Sequence, residues 1–123
     1  MPSSDVNKGP DMSAEQRTNQ IKAYLCDQFQ LTEEQVGEML PGFIQTLSTH
    51  MENMERNLAE DDLPELGKAG HTMKGALLNL GLNDCAELAL RIEESGKAND
   101  RLTDFNALVA DLKQRISPLF NLS

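Results

Sequence analysis

Apolar residues recur at every third or fourth position over long stretches of this chain, and this period constrains its fold more than any other feature. Such a repeat lines one side of an α-helix, whereas a half-buried strand needs strict alternation, which no segment shows. Residues 13–123 are therefore predicted to form one helical domain. Residues 1–12, which contain two prolines, a glycine and no apolar period, are predicted to be a flexible N-terminal arm.

Caps and helix breakers divide this domain into five helical segments. The first three are predicted at about 14–29, at 33–60 with Thr32 as the cap, and at 63–80 with Asp61 or Asp62 as the cap and Pro64 in the first turn. The fourth is predicted to begin at Asn83 or Asp84 and to end where Gly96 and Asn99 break it, and the fifth is predicted to run from Thr103 to near Pro118. Pro41 lacks a backbone donor, so the second segment should either kink or split into helices at about 33–40 and 42–60. Gly81 should end the third helix in the left-handed conformation.

Short connections between amphipathic helices favour antiparallel neighbours. The predicted fold class is all-α, an antiparallel up-and-down four-helix bundle with an additional N-terminal helix. Its last two helices have the apolar stripes Cys85, Leu88, Ala89 and Ile92, and Leu102, Phe105, Leu108, Val109, Leu112, Ile116 and Leu119. Cys26 and Cys85 fit neither a disulfide framework nor a zinc pattern and are interpreted as small apolar fillers.

The charge of the chain limits its partners. With 11 Lys+Arg against 20 Asp+Glu, the net charge of -9 repels polyanions, so neither nucleic acid nor an anionic membrane surface is an expected partner. No stretch approaches the roughly 18 consecutive apolar residues of a membrane span, and the first residues lack the order of a secretory signal. A cytoplasmic protein is expected, and the large negative charge favours a monomer.

The third helix carries the candidate chemistry. An advance of about 100° per residue places His71 and Gly75 on the solvent side, with Gly67 and Lys74 at its edge. The opposite, core side has Leu66, Ala69, Met73, Leu77 and Leu80. His50, the other histidine, has no comparable surroundings, and no role is assigned to it.

Two glycines, Gly67 and Gly75, stand one turn before and one turn after His71, although a glycine within a helix costs about 0.5–1 kcal/mol relative to alanine. They are predicted to leave the imidazole open to another protein's active site. Lys74 lies beside the ring, where its ammonium can neutralise a phosphoryl group on the imidazole. Leu78 is a candidate apolar contact for a docking partner.

This segment resembles the signature of histidine phosphotransfer (HPt) domains, and the resemblance extends over roughly residues 33–117. The residues that carry it are His71, Thr72, Met73, Lys74 and Gly75, followed by Leu80 and Gly81. The family implies that His71 accepts a phosphoryl group from an aspartyl phosphate on a receiver domain and passes it to another receiver. It also implies that Lys74 steadies the phosphoryl group and that Gly75 leaves room for the receiver.

On the next helix, Glu93 matches a position at which the family often has an acidic or amide residue hydrogen-bonded to the imidazole. Such a carboxylate would fix the ring tautomer and leave the other nitrogen as the nucleophile. Lys68 and Lys97 are further candidates for receiver docking and for positive charge near the phosphoryl group.

The resemblance implies response-regulator receiver domains and a hybrid sensor histidine kinase as partners in a bacterial two-component phosphorelay. The chain would be a phosphoryl carrier and not an enzyme, with no cofactor and with Mg²⁺ only on the receiver. The alternatives are the phosphoacceptor domain of a chemotaxis-type histidine kinase and a non-phosphorylated helical adaptor. A metal-dependent bundle enzyme would need Glu-x-x-His ligands, and neither histidine follows a glutamate at that spacing, so no metal site is predicted.

Overall fold

The structure, a computed structural model, describes residues 13–120, which form helices and no strand. The five helices are α1 (Ala14–Phe29), α2 (Glu33–Ala59), α3 (Leu63–Asn79), α4 (Asn83–Lys97) and α5 (Phe105–Phe120). The all-α prediction is confirmed. The predicted arm over residues 1–12 and the last three residues of the predicted domain lie outside the described residues. None of these five helices combines the length and the apolar composition needed to cross a membrane.

Capping boxes start the first two helices. The Ser13 hydroxyl accepts a hydrogen bond from the Gln16 backbone at 3.1 Å, and the Gln16 side chain accepts one from the Ser13 backbone at 2.8 Å. Thr32 and Gln35 repeat the arrangement at the start of α2, as predicted for Thr32. Each box satisfies two backbone donors that a helix start leaves unpaired.

Helix α2 runs without a break through Pro41, so the alternative of two separate helices is wrong. Proline removes the hydrogen bond to the carbonyl four residues earlier, which here belongs to Gly37. Both Pro41 and Gly37 are exposed, so water can solvate that carbonyl. The buried side chains of Leu40 and Ile44 hold both sides of the proline on the core.

Helix α3 begins and ends close to where the sequence predicts. Asp62 is its cap, because its side chain accepts a hydrogen bond from the Glu65 backbone at 3.2 Å, whereas Asp61 lies in the turn at a φ of +56°. Gly81 follows the helix with a φ of +77°, the left-handed conformation that was predicted. A Cβ at Gly81 would also lie within 3 Å of the Tyr24 ring. Both the left-handed φ and this close contact therefore favour glycine at position 81.

Helix α4 continues through Gly96 to Lys97, so the prediction that Gly96 breaks it is wrong. Gly96 is buried, and a Cβ there would lie 2.7 Å from the Cα of Gly67 on α3. Glycine at this position therefore serves a close contact between two helices. Asn99, with a φ of +54°, lies in the turn after α4.

Helix α5 differs from the prediction at both ends. Asp104 caps it instead of Thr103, since its side chain accepts a hydrogen bond from the Ala107 backbone at 3.0 Å. Leu102 is 97% exposed and precedes the helix, so it does not belong to the apolar stripe. The helix also continues through Pro118, where the Ser117 hydroxyl donates at 3.5 Å to the Gln114 carbonyl that proline leaves without its backbone donor.

The core lies among α2, α3, α4 and α5, and Ile21 and Leu25 of α1 also belong to it. Helix α3 packs on α2 and α4, α5 packs on the same two helices, and α1 packs on α2 and α5. The predicted inner residues other than Leu102 are buried, with Ala69 and Leu108 only partly so. Cys85 is buried, Cys26 is half-buried, and both are free thiols.

A buried ion pair, which the apolar pattern did not predict, fastens α1 to the other helices. The Arg17 side chain is completely buried, and its two terminal nitrogens donate to the two carboxylate oxygens of Asp84 at 3.0 and 2.9 Å. Its Nε donates to the Arg115 carbonyl of α5 at 3.3 Å. Burial alone would raise the pKa of Asp84, but the hydrogen bond and charge of Arg17, with the charge of Arg115, hold it below its ordinary value.

Candidate functional site

His71 projects from the middle of α3 with 62% of its side chain exposed, as the helical phase predicts. Met73 and Leu77, on the opposite side of the helix, are fully buried. One flank of the ring is open, because a Cβ built on Gly75 meets nothing within 4 Å. A second protein can therefore approach the imidazole from the Gly75 side.

The carboxylate of Glu93, on α4, contacts the ring. His71 Nδ1 lies 2.9 Å from Glu93 Oε2, so the predicted contact between these side chains is present. The glutamate side chain is 10% exposed, whereas the ring is largely in solvent. The imidazole is thus held at one nitrogen by a nearly buried carboxylate.

Two lysines share the same carboxylate. Lys74 Nζ lies 2.8 Å from Glu93 Oε1, and Lys97 Nζ donates to Oε2 at 2.9 Å. The close ammonium of Lys74 and the hydrogen bond from Lys97, with a smaller contribution from His71, outweigh burial and lower the pKa of Glu93 from an ordinary 4.5 to about 2. Glu93 is therefore ionised at neutral pH.

The ionised carboxylate decides the tautomer of the ring. Because Glu93 has no proton to donate, the hydrogen bond of 2.9 Å requires that His71 Nδ1 carries the hydrogen and donates it. In the neutral imidazole the free lone pair is then on Nε2. No described residue forms a hydrogen bond with Nε2, which leaves this nitrogen available as a nucleophile.

Gly67 was predicted to open the other flank of His71, and this prediction is wrong. The residue is buried, and a Cβ there would lie 2.7 Å from the Lys97 backbone nitrogen and 3.0 Å from the Gly96 carbonyl carbon. The edge of α3 that the helical phase assigns to Gly67 is covered by α4. This glycine serves helix packing and gives no access to the ring.

Gly70, which was not among the predicted site residues, is a second buried contact between α3 and α4. A Cβ at this position would lie 2.9 Å from the Glu93 backbone nitrogen and 3.1 Å from the Ala89 carbonyl oxygen. The sequence did contain a signal, because Gly70 stands three residues after Gly67 and so lies on the same side of the helix. It points to a close helix neighbour on that side.

The predicted docking residues do not all contact the cluster of His71, Lys74 and Glu93. Lys97 reaches Glu93, but Lys68 pairs with Glu65 at 3.0 Å on its own helix and is 70% exposed. Leu78 is 44% exposed, as predicted, and Leu90 on α4 is a further exposed leucine that was not among the predicted docking residues. His50 is half-buried.

The model of the Hpt domain family matches residues 38–120, more than half of the chain. The chain therefore belongs to the Hpt domain family, and the predicted resemblance is confirmed. Hpt domains take part in histidine phosphotransfer in phosphorelays and interact with receiver domains. A search of curated proteins and a search of solved structures each found no match to the chain.

The lowered pKa of Glu93 predicts a pH-dependent contribution to stability. A carboxyl group whose pKa is lower in the folded state than in the unfolded state stabilises the fold above its unfolded pKa, here 4.5. That contribution is lost as the pH falls towards about 2. Since Lys97 is half exposed, we expect Glu93→Gln to lower the free energy of unfolding by about 1–2 kcal/mol at pH 7.

Urea unfolding at a series of pH values measures this contribution. The difference between wild type and Glu93→Gln should shrink steadily between pH 5 and about pH 2. Glu94→Gln, an exposed neighbour on the same helix, is the control. A difference for Glu93→Gln that stays constant over this range would contradict the ionised, lysine-paired carboxylate.

Proposed function

We propose that this chain is a histidine phosphotransfer protein of a bacterial two-component phosphorelay, with His71 as the phosphoacceptor. It accepts a phosphoryl group from an aspartate of one receiver domain and passes it to another receiver. The supporting observation is the contact between His71 Nδ1 and the ionised Glu93, because it leaves Nε2 of an exposed ring as the free nucleophile.

The transfer reaction follows from this arrangement. Nε2 attacks the phosphorus of the receiver's aspartyl phosphate, an N–P bond forms, and the P–O bond to the aspartate breaks with release of its carboxylate. Nε2 carries no proton in this tautomer, so none has to be removed before the attack. The ring becomes positively charged as the bond forms, and Glu93, 2.9 Å from Nδ1, stabilises that charge.

The lysines would stabilise the product. Lys74 is paired with Glu93 before transfer, and we propose that its Nζ turns towards the phosphoryl oxygens once these are attached to the ring. Lys97 lies one turn after Glu93 on α4, and its ammonium stays paired with the Glu93 carboxylate during this change. Lys68, Leu78 and Lys97 are proposed contacts for the receiver, and Gly75 is the open flank through which it approaches.

In this account the chain is a carrier and not an enzyme. The receiver supplies the acidic residues and the Mg²⁺ that drive phosphoryl transfer, and this chain supplies a positioned nucleophile without a cofactor. A hybrid sensor kinase is the proposed donor. The chain is proposed to act as a cytoplasmic monomer, with α2 to α5 as an antiparallel up-and-down bundle, which the packing of each of these helices on two of the others supports.

Phosphoryl transfer from a panel of receiver domains tests the proposal. Each purified receiver is phosphorylated on its aspartate with a radiolabelled small-molecule donor, separated from the donor and mixed with this chain. We expect label on this chain that is labile in acid and stable in base, as for a phosphohistidine. Absence of transfer from every receiver, together with unchanged partner binding by His71→Ala, would favour the non-phosphorylated adaptor.

Gly75→Leu is expected to block access to His71 without lowering the stability of the fold. Nothing lies within 4 Å of the new Cβ, and the leucine side chain fills the approach to the ring, so we expect transfer to fall by about 100-fold or more. The same change removes a helical glycine, so the free energy of unfolding should rise by about 0.5–1 kcal/mol. Transfer rates and urea unfolding of the same sample measure both effects.

Gly37→Leu is the matched control. Gly37 is exposed and, like Gly75, is a helical glycine with nothing within 4 Å of its Cβ position, but it lies on α2. This variant should gain similar stability and keep the wild-type transfer rate. Equal rates for Gly75→Leu and wild type would show that receivers do not approach over Gly75.

A further inference from the structure

We propose that Gly70 is a positioning residue for His71, because its missing side chain lets α4 come close enough for the Glu93 carboxylate to reach Nδ1. This inference rests on the proposed function for its consequence, but the geometry that it concerns exists in the unphosphorylated protein. Gly70 directly precedes His71, and the backbone that it contacts is that of Glu93 itself.

The distances show how closely the two backbones approach. A Cβ at position 70 would lie 2.9 Å from the backbone nitrogen and 3.2 Å from the Cα of Glu93, and 3.1 Å from the carbonyl oxygen of Ala89. All three atoms belong to the backbone of α4, which cannot move aside as a flexible side chain can. An alanine at position 70 must therefore shift α4 relative to α3 at the residue that holds the imidazole.

The hydrogen bond to His71 is sensitive to such a shift. The Nδ1 to Oε2 distance is 2.9 Å, within the range of about 2.7–3.2 Å for such bonds, and a hydrogen bond weakens steeply once its angle falls below about 120°. The same carboxylate is also held by Lys74 and Lys97, which limits how far it can follow the ring. Displacement of the Glu93 backbone by a few tenths of an ångström thus weakens the interaction that selects the tautomer.

Gly96 provides a packing control at the same helix contact. A Cβ there would lie 2.7 Å from the Gly67 Cα and 2.7 Å from the Leu63 carbonyl oxygen, so Gly96→Ala strains the contact between α3 and α4 further from the ring. If these glycines served packing alone, Gly70→Ala and Gly96→Ala would have the same effects. The positioning role predicts that only Gly70→Ala changes the state of the ring.

The experiment is ¹⁵N NMR of the imidazole rings in the full, unphosphorylated chain labelled at histidine. The chain has two histidines, so His50→Gln assigns the His71 signals. We expect wild type and Gly96→Ala to show the Nδ1–H tautomer and Gly70→Ala to shift towards Nε2–H. The rate of phosphoryl acceptance should fall several-fold in Gly70→Ala, because less of the ring has its lone pair on Nε2.

Wild-type ring shifts in a folded Gly70→Ala variant would overturn the proposal, as would an equal change in Gly96→Ala. If Gly70→Ala does not fold, Glu93→Asp makes the same test, because its carboxylate is one methylene shorter on an unshifted backbone. Glu93→Asp should also populate Nε2–H, and retention of Nδ1–H would overturn the proposal. Since these readouts need no phosphoryl donor, they stand whether or not the chain accepts phosphate.

Discussion

Exchange of His71 for glutamine is expected to abolish phosphoryl acceptance and to leave the fold intact. Glutamine has an amide in place of the nucleophilic ring nitrogen, so no N–P bond can form at this position. The side chain at position 71 is 62% exposed and contributes little to the core. Label transferred from a phosphorylated receiver should fall to background, while the circular dichroism spectrum and the Tm stay close to those of wild type.

The control for this experiment is the other histidine. His50 is half-buried on α2, and His50→Gln should accept phosphate as wild type does. Label that persists in His71→Gln and disappears in His50→Gln would show that the phosphoacceptor is His50 on α2 and not His71 on α3. Loss of label in both variants, with loss of helical content, would point to damaged folding instead of lost chemistry.

Replacement of Arg17 by alanine is expected to cause the largest loss of stability among the charged residues. The guanidinium is fully buried and donates to both carboxylate oxygens of Asp84 and to the Arg115 carbonyl. Removal of one partner of a buried ion pair typically costs about 3–5 kcal/mol, and Asp84, which is 38% exposed, can regain part of its hydration. We therefore expect a loss of about 3 kcal/mol in urea unfolding.

Arg101 offers a matched comparison for Arg17. Its guanidinium also contacts both oxygens of one carboxylate, that of Asp61, but the two side chains are 57% and 71% exposed. Arg101→Ala should cost less than about 1 kcal/mol. A similar cost for the two alanine variants would mean that α1 is not fastened to the domain through Arg17.

The helical period was sufficient to predict the exposure of His71 and the core side of α3, because the phase of a residue on a helix depends on its spacing alone. Local chemistry likewise predicted the Thr32 cap and the left-handed Gly81. At Thr103 the same reasoning failed, since Thr103 and Asp104 are adjacent capping residues and the hydrogen bond shows that Asp104 is used.

The apolar period alone does not predict which residues of different helices contact each other. The pair of Arg17 and Asp84 joins positions far apart in the chain, and a buried arginine has no period of its own. The predicted openness of Gly67 failed because the period identifies the edge of α3 but not the neighbour that covers it. The role of Gly70 was missed for the same reason, whereas Glu93 was found through family resemblance.

The nitrogen of His71 that carries the phosphoryl group shows whether Glu93 leaves Nε2 as the nucleophile. The chain, labelled with ¹⁵N at histidine, is phosphorylated by a receiver, and the ¹⁵N and ³¹P NMR spectra locate the N–P bond. The contact between Glu93 and Nδ1 predicts one product, with the phosphoryl group on Nε2 of His71 and the proton on Nδ1. A phosphoryl group on Nδ1, or on any other residue, would contradict the account.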